Sequence, residues 1–395
     1  MTSPTDLTTL IQSQSRQLSA QLATLRERNF PPASSKSFRR IAPAEAAKLL
    51  NVSESRLRHT AADHGLGEAL NSRRTYSVED VANLRKRLSE GARSAERYLP
   101  RRRGGEHLQV ITVMNFKGGS AKTTTSTHLA QYLALRGYRV LAIDLDPQAS
   151  LTALFGIHSV ADLAPGQTVY GAIRYDAERV PLPRLVRPTY VPSLSLVPGG
   201  LELMEFEHET PRALSRQGDG GVALFGRLAD AIRDVEADFD VVVVDCPPQL
   251  GYLGLSALVA ATSVLVTVHP GMLDVMSMSQ FLAMTGDLLS VIADALPSGA
   301  RPTYDWQRYL LTRFEPNDGP QQQVAAFLRT LFGEHVLKNP TLKSTAISDA
   351  GLTNQTIYEI DRTQFTRATY DRAVESVDAV NREIEELILQ AWGRK

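Results

Sequence analysis

The stretch Val110-Ile-Thr-Val-Met-Asn-Phe-Lys-Gly-Gly-Ser-Ala-Lys-Thr-Thr-Thr125 determines the fold of this chain. An apolar run, a glycine pair and a lysine followed by hydroxyl residues predict a buried strand that turns sharply into a helix. Gly118 and Gly119 let the backbone approach a ligand that a Cβ would exclude. Because the N–H groups of such a turn and of a helix N-terminus attract anions, the pattern favours a phosphate-binding loop over a plain glycine turn.

The residues around the glycines predict how this loop holds a nucleotide. Lys122 can reach the outer phosphates, and the hydroxyl of Thr123 can hold Mg²⁺. We expect the phosphates to be surrounded by Lys117, Gly118, Gly119, Ser120, Ala121, Lys122, Thr123 and Thr124. The usual P-loop pattern, Gly-x-x-x-x-Gly-Lys-Ser/Thr, is absent, since Phe116 and Ala121 stand at its glycine positions.

The variant that is present, Lys117-Gly-Gly-Ser-Ala-Lys-Thr123, carries an extra lysine and resembles the deviant Walker A box of the ParA/MinD family of ATPases. Most of that family has glycine where this chain has Ala121. Further strand and helix patterns continue the resemblance to about residue 390. It implies a P-loop NTPase fold, which is an α/β fold with a doubly wound, mostly parallel sheet.

Two further apolar runs end in carboxylates. Arg139–Ile143 leads into Asp144-Leu-Asp-Pro-Gln148, and Phe239–Val244 leads into Asp245. Carboxylates at the carboxyl ends of parallel strands lie beside the nucleotide, although an Asp-Pro pair alone can simply end a strand. We expect Asp245 to reach Mg²⁺ through water, because a buried charge there needs a cation. The family resemblance implies that Asp146 activates the attacking water and that Asp144 supports the Mg²⁺ shell.

The bulk composition indicates a soluble protein of two or three domains, with 43% hydrophobic residues in a chain of 395. No apolar run reaches the roughly 18 residues of a spanning helix. Met1-Thr-Ser-Pro-Thr-Asp6 lacks the basic and apolar regions of a secretory signal. The single cysteine, Cys246, excludes an intramolecular disulfide and suits a reducing compartment, so we expect a cytoplasmic protein.

Charge is distributed unevenly along the chain. Residues 1–105 contain 19 Lys and Arg against 10 Asp and Glu, and the remainder contains 24 against 33. A basic N-terminal segment joined to an acidic remainder suggests an appended nucleic-acid-binding module. The alternative is a solvated basic surface. Within this segment, residues 1–30 predict a polar helix on which Ile11, Leu18 and Leu25 recur every seven residues. We expect this helix to contact a second copy, packing on its own domain being the alternative.

Residues 36–100 predict a DNA-binding domain of helices and a wing. Pro43 suits the first turn of one helix, and Ser53 can cap a second. A basic segment and a capped amphipathic helix follow at 71–76 and 77–88, and the whole resembles the winged helix-turn-helix of the MerR type. With the second helix in the major groove, the expected DNA contacts come from Arg56, Arg58, His59, Arg73 and Arg74.

The rest of the chain divides into a basic linker at 101–107 and an ATPase domain at 108–395. Residues 151–220 show no catalytic pattern, and Arg212–Gly221 predicts a mobile loop. The methionines near 272–284 are expected in the core, and Asp361–Arg394 predicts a terminal amphipathic helix. The family resemblance places the loops that carry Arg313 and Pro340 beside the adenine.

The basic N-terminal segment narrows the resemblance to the large plasmid-partition branch of the family, and the residues from Phe116 to Thr125 are similar to the RepA branch of repABC plasmids. It implies an ATP-dependent homodimer in which Lys117 crosses to the partner's phosphates, so that Lys117, Lys122 and Asp146 are the catalytic residues. It also implies non-specific DNA binding on the nucleoid, hydrolysis stimulated by a ParB-type centromere protein, and operon repression through operator DNA. Candidate non-specific DNA contacts are Lys343, Arg362 and Arg367.

Two other functions fit parts of the pattern. A MinD-like ATPase cycles on membranes, but that needs a basic amphipathic C-terminal helix, and the segment Asn381–Trp392 is acidic. A nucleotide-regulated transcriptional repressor with a vestigial ATPase is the second alternative. The presence of both lysines and of Asp146 and Asp245 argues against it. The prediction is therefore a partition ATPase with ATP or ADP and Mg²⁺ as cofactors and no membrane partner.

Overall fold

The computed structural model describes residues 6–29, 36–70, 73–115, 117–217, 224–295 and 303–394. The strands are β1 (Glu68–Leu70), β2 (Arg73–Thr75), β3 (Gln109–Met114), β4 (Val140–Asp144), β5 (Arg187–Pro188), β6 (Leu194–Val197), β7 (Val241–Asp245), β8 (Ser263–Val268) and β9 (Trp306–Leu311). The helices are α1 (Leu7–Asn29), α2 (Pro43–Leu50), α3 (Glu54–Asp63), α4 (Val78–Glu90), α5 (Lys122–Arg136), α6 (Ser150–Leu154), α7 (Ser159–Asp162), α8 (Tyr170–Ile173), α9 (Leu203–Gln217), α10 (Arg227–Arg233), α11 (Tyr252–Ala260), α12 (Met272–Ala295), α13 (Gly319–Phe332), α14 (Thr345–Leu352) and α15 (Arg367–Ala391).

Seven strands form one sheet in the order β5-β6-β4-β7-β3-β8-β9. Every neighbouring pair is parallel except β5 with β6. Val242 and Val244 pack into one apolar cluster with α10–α13, and Val241 and Val243 pack into another with α5 and α15. Helices thus cover both faces, which is why the strands are continuous apolar runs. The predicted doubly wound, mostly parallel α/β fold is confirmed.

The N-terminal helices and hairpin build a separate apolar cluster around Leu50, Leu57, Tyr76 and Leu84. Their order is helix, turn, helix, hairpin, helix. Asn51 turns the chain in the left-handed region, and Ser53 accepts a hydrogen bond from the Arg56 N–H. A capping box of Ser77 and Asp80 starts α4. Helix α1 exposes the described leucines and isoleucine of its stripe, so the predicted contact with a second copy stays a prediction.

Arg85 of α4 joins this N-terminal cluster to the large sheet. Its buried guanidinium donates to the carbonyl of Leu49 at 2.7 Å, to that of Leu135 in α5 at 2.7 Å and to that of Tyr98 at 2.9 Å. Gly137, which ends α5 with a φ of 103°, leaves the space for this side chain, since a Cβ there would lie 2.6 Å from Arg85 Cδ. The helix that begins at the glycine loop therefore ends against the N-terminal helices.

Three expectations of the sequence are wrong. Residues 212–217, predicted as a mobile loop, belong to α9, and residues 218–221 lie outside the described residues. Met272, Met276 and Met284 are exposed rather than in the core, and Met278 is buried. The terminal helix begins at Arg367, where Thr366 caps it, rather than at residue 361.

Candidate nucleotide-binding site

The loop between β3 and α5 is held open by distant polar residues. The Asn115 amide donates to the Thr267 carbonyl of β8 and accepts from the Lys117 N–H at 3.0 Å. Thr267 donates to the Ser120 hydroxyl at 3.0 Å, and Thr312 donates to the Ser120 carbonyl at 3.0 Å. These bonds hold the loop at residues on either side of the two glycines. A Cβ added at Gly118 or Gly119 would meet no described atom within 4 Å. The space beside the two glycines is therefore free for an anion to approach their backbone.

Ala121 adopts the left-handed region, with φ 66° and ψ 28°. Glycine takes this conformation freely, whereas a Cβ costs roughly 1–2 kcal/mol there. This accounts for the glycine that most of the resembled family has at this position. The alanine keeps the conformation at some cost in stability.

Lys122 is the first residue of α5, and its side chain is buried. Its ammonium donates to the Lys117 carbonyl at 3.3 Å. Burial lowers the pKa of Lys122, and the nearby carboxylates of Asp245 and Asp146 oppose that effect. The structure thus brings Lys122 together with both acids.

Asp144 and Asp146 have different surroundings. Asp144 is fully buried and accepts from the Thr152 N–H at 2.8 Å, from the Thr152 hydroxyl at 2.7 Å and from the Asp146 N–H at 3.2 Å. Burial raises the pKa of Asp144 to about 7. Asp146 Oδ1 accepts from the Gln148 N–H at 2.9 Å. Asp144 therefore supports the loop that presents Asp146.

Asp245 ends β7 directly beside Asp144, its register partner on β4. Its Oδ1 accepts from the Ser126 hydroxyl at 2.9 Å, whereas its Oδ2 is buried without a hydrogen-bond partner in the described part of the chain. Burial and the Asp144 carboxylate raise the pKa of Asp245 to about 8. A buried oxygen of this kind needs a cation or water, so the residues fit a hydrated Mg²⁺.

The described residues contain no group of three His, Cys, Asp or Glu side chains that could enclose a metal. Thr123 stands at the N-terminal end of α5 beside Asp245, as a Mg²⁺-binding hydroxyl requires.

The extra lysine, Lys117, does not point into its own loop. Its ammonium forms an ion pair with Asp274 Oδ1 at 3.0 Å, on the first turn of α12. The side chain of Lys117 is 43% exposed. A lysine at this position is therefore accessible from outside the subunit.

Arg313 and Pro340 lie on two adjacent segments beside the loop. Arg313 has a φ of 52° and donates to the Gly119 carbonyl at 3.3 Å. The next residue, Phe314, donates its N–H to the Thr341 carbonyl at 3.0 Å, which follows Pro340. Within the described residues, the segment 335–340 makes a single β-bridge, from Val336 to Tyr309. Its proximity agrees with the expected adenine site, which stays a prediction.

The candidate DNA contacts are only partly presented to solvent. Arg56 and Arg58 are exposed on α3, and His59 beside them lies 3.6 Å from Asp63. Arg74 donates inward to the Leu66 carbonyl at 3.0 Å. Arg73 begins β2, but its side chain lies outside the described residues. The three C-terminal candidates are each paired with an acid: Lys343 with Glu315, and Arg362 and Arg367 with Asp371.

Sequence reasoning missed the residues that support this site from a distance. Asn115, Thr267 and Thr312 hold the loop, and Ser126 orients Asp245. Glu207 of α9 accepts the N–H groups that begin α11, at 3.0 Å from Tyr252 and 2.9 Å from Leu253. In the sequence, the available signal for Thr267 and Thr312 is that each is a polar residue at the end of an apolar strand.

Comparison with known proteins gives matches along the chain. Residues 108–296 match a family model described as AAA domain. A protein of Rhizobium rhizogenes with the provisional name replication protein A is 59% identical over 391 residues, which cover 98% of this chain and 96% of the relative. The chromosome partitioning protein ParA of Myxococcus xanthus is 32% identical over 242 residues, which cover 61% of this chain and 77% of the relative.

Two solved structures are similar in fold. A structure named Partition Protein superposes with a TM-score of 0.64 at 17% identity, covering 95% of this chain and 98% of its own. Cobyrinic acid a,c-diamide synthase from Mycobacterium smegmatis, solved with ADP and magnesium, gives a TM-score of 0.50 at 27% identity, covering 62% and 91%. The chromosome partitioning protein ParA of Myxococcus xanthus, matched over 77% of its length, agrees with the glycine loop and the acids beside it. The chain therefore belongs to the ParA family of partition ATPases.

Proposed function

We propose that this protein binds ATP or ADP with Mg²⁺, hydrolyses ATP, and uses the cycle to segregate a low-copy plasmid. The observation that carries the proposal is the meeting of Lys122, Asp146 and the buried carboxylate of Asp245 beside an open glycine loop. The similarity to chromosome partitioning proteins and to a structure solved with ADP and magnesium supports it.

Each residue of the site has a role that follows from its position. The buried ammonium of Lys122 binds the outer phosphates, and its charge is worth most where water is excluded. Thr123 and Asp245 hold Mg²⁺, which neutralises charge that develops on the transferred phosphoryl group when it is bound. Asp146 orients the attacking water, and Asp144 keeps Asp146 in place through the bonds to its N–H and to Thr152.

Two subunits complete the site in this proposal. Lys117 is exposed at the rim of the loop, so its ammonium can reach the phosphates bound by a second copy. There it offsets negative charge that develops during hydrolysis. ATP-dependent dimerisation follows, because the lysine contributes to the partner's site only when both copies meet.

The DNA functions are assigned to two surfaces. Exposed Arg56 and Arg58 on α3 suit an operator, through which the protein represses its own operon. The ATP-bound dimer binds non-specific DNA and is therefore found in the cytoplasm on the nucleoid, and a ParB-type protein stimulates hydrolysis and releases it. Since Lys343, Arg362 and Arg367 are paired with acids, they are weaker candidates for the non-specific contact than unpaired arginines.

The decisive experiment measures ATP turnover with DNA and a ParB-type protein, added separately and together. We expect stimulation by both together, and no stimulation in any combination would refute the partition role. A Lys122→Ala variant tests the site itself, and its turnover should fall to the background rate. Unchanged turnover in that variant would remove the mechanism, and DNA binding without turnover would favour the nucleotide-regulated repressor.

A MinD-like membrane cycle is the other alternative. The apolar side chains of α15, among them Ile384 and Ile388, are buried against the sheet, so this helix has no free apolar face for lipid. By length and composition alone, one helix of the described chain could span a membrane, Met272–Ala293; Met278 and Phe281 on it pack into the core, and most of the helix is exposed or half-buried. Flotation with liposomes in the presence of ATP separates the two functions, and ATP-dependent binding would support the membrane cycle.

A further inference from the structure

Lys117 already has a counter-ion within its own subunit. The Asp274 carboxylate lies 3.0 Å from the Lys117 ammonium, and the Asp274 side chain is only 13% exposed. The two residues are far apart in the sequence, and no single motif contains both of them. The contact exists because β3 and β8 are neighbours and their exit loops meet at one edge of the sheet.

The surroundings of Asp274 favour this contact. Gly271 leaves room for the carboxylate, since a Cβ there would lie 2.8 Å from Asp274 Oδ2. The Asp274 N–H donates to the Gly271 carbonyl at 3.0 Å, which places the acid in the first turn of α12. A carboxylate is favourable at that end of a helix.

Only the side chain of Lys117 is free to move. Its N–H is bound to Asn115 Oδ1 at 3.0 Å, and its carbonyl accepts from Lys122 at 3.3 Å. The next turn of α12 exposes Met276, and the first exposes Met272 and Leu273. The N-terminal turns of α12, which carry Asp274, therefore also carry exposed apolar side chains.

We propose that Asp274 is the resting counter-ion of Lys117, and that this ion pair must open before the lysine can reach the phosphates of a second subunit. The inference rests on the proposed function, in which Lys117 acts across a dimer. In this proposal the ammonium leaves Asp274 to contact phosphates in the other copy, so the two contacts compete for Lys117. The pair stabilises the separate subunit and so raises the concentration at which ATP drives dimerisation. Asp274 is a positioning residue for Lys117 rather than a catalytic one.

Asp274→Asn tests this directly, because it removes the charge and keeps the size of the side chain. Sedimentation velocity with Mg²⁺ and a non-hydrolysable ATP analogue measures the dimer dissociation constant. Closing one dimer opens two ion pairs, in each of which the lysine is partly exposed, so we expect this constant to fall about 2- to 30-fold. Raising the salt concentration should reduce the difference between the dimer dissociation constants of the variant and the parent protein, because salt screens the ion pair.

Asp287→Asn is the matched control, since Asp287 is an exposed acid further along the same helix. Its dimer constant should stay within twofold of the parent value. The double variant Lys117→Ala with Asp274→Asn should dimerise no better than Lys117→Ala alone, because the acid acts only through the lysine. Thermal unfolding of each variant checks that the fold is intact.

The outcomes separate this inference from the proposed function. If the parent protein binds no fluorescent ATP analogue and forms no dimer, both ideas are wrong. If the parent dimerises with ATP but Asp274→Asn is unchanged or weaker, the resting pair is refuted and the proposed function stands. A gain in Asp274→Asn that persists in the Lys117→Ala background would also refute it.

Discussion

Arg85 offers a sharp test of how the N-terminal helices are joined to the nucleotide-binding sheet. Its guanidinium donates to three carbonyls, on α2, on the segment after α4 and on α5. Burial lowers the pKa of Arg85 to about 10, so the group still carries its charge at pH 7. Arg85→Met keeps the length of the side chain and removes every donor.

The size of the effect follows from these three bonds. A hydrogen bond to a charged group contributes roughly 1.5–3 kcal/mol, and the vacated carbonyls of Leu49 and Leu135 would be left in a partly dry interface. Because one side chain makes all three bonds and water can enter afterwards, we expect a total loss of about 3–5 kcal/mol rather than the full sum. Local opening of α2 and α4 should then be about 10²- to 10⁴-fold more frequent.

Native-state hydrogen exchange read by mass spectrometry measures this opening helix by helix. Arg87→Met is the matched control, since Arg87 lies on the same helix, is half exposed and pairs only with Glu90 among the described residues. The control should change exchange by less than about threefold, which is typical of an exposed ion pair. Both variants should keep the nucleotide affinity of the parent. Equal exchange in the two variants would refute the role assigned to Arg85.

Other substitutions test the loop and the helix that follows it. Ala121→Gly should raise the free energy of unfolding by about 0.5–1 kcal/mol in urea melts, because glycine takes the left-handed conformation without strain; a lower stability would contradict this reasoning. Gly137→Ala should cost about 1–3 kcal/mol, since its Cβ would lie 2.6 Å from Arg85 Cδ, whereas Gly91→Ala, which meets no described atom within 4 Å, should be close to neutral. Burial lowers the pKa of His128 to about 4, so its neutral form adds stability that is complete above pH 6.5 and is lost as the pH falls toward 4, by up to about 3 kcal/mol. His128→Gln should lose that part of the pH dependence in urea melts at pH 4.5 and pH 7, and an unchanged dependence would contradict the assignment.

Short stretches of the sequence were enough to predict much of the fold. The apolar runs at β3, β4, β7 and β8 are long, lack charges and stand between helical patterns, so a parallel sheet covered on both faces was predictable. The helix caps at Ser53 and Ser77 could also be predicted, because a cap depends on only three or four consecutive residues.

Predictions failed where the environment of a helix decides its role. Helix α12 is rich in methionine, and its composition alone cannot tell which side the sheet covers. Packing buries Met278 and leaves Met272 and Met276 exposed. Helix α9 contains Pro211 and polar residues that suggest a loop, but Phe206 is buried in the core and Glu207 binds the start of α11. These contacts stabilise a helix that local preferences do not favour.

By itself, the sequence determined the loop chemistry and the identity of the acids, because phosphate binding at a strand–helix turn needs neighbouring residues at fixed spacing. Tertiary structure alone decided how those groups are held. Asn115 meets Thr267, Asp144 meets Thr152 and Asp146, and Lys117 meets Asp274. Only the folded sheet decides which exit loops become neighbours. A side chain's partner across that edge depends on strand order, which no short stretch of sequence specifies.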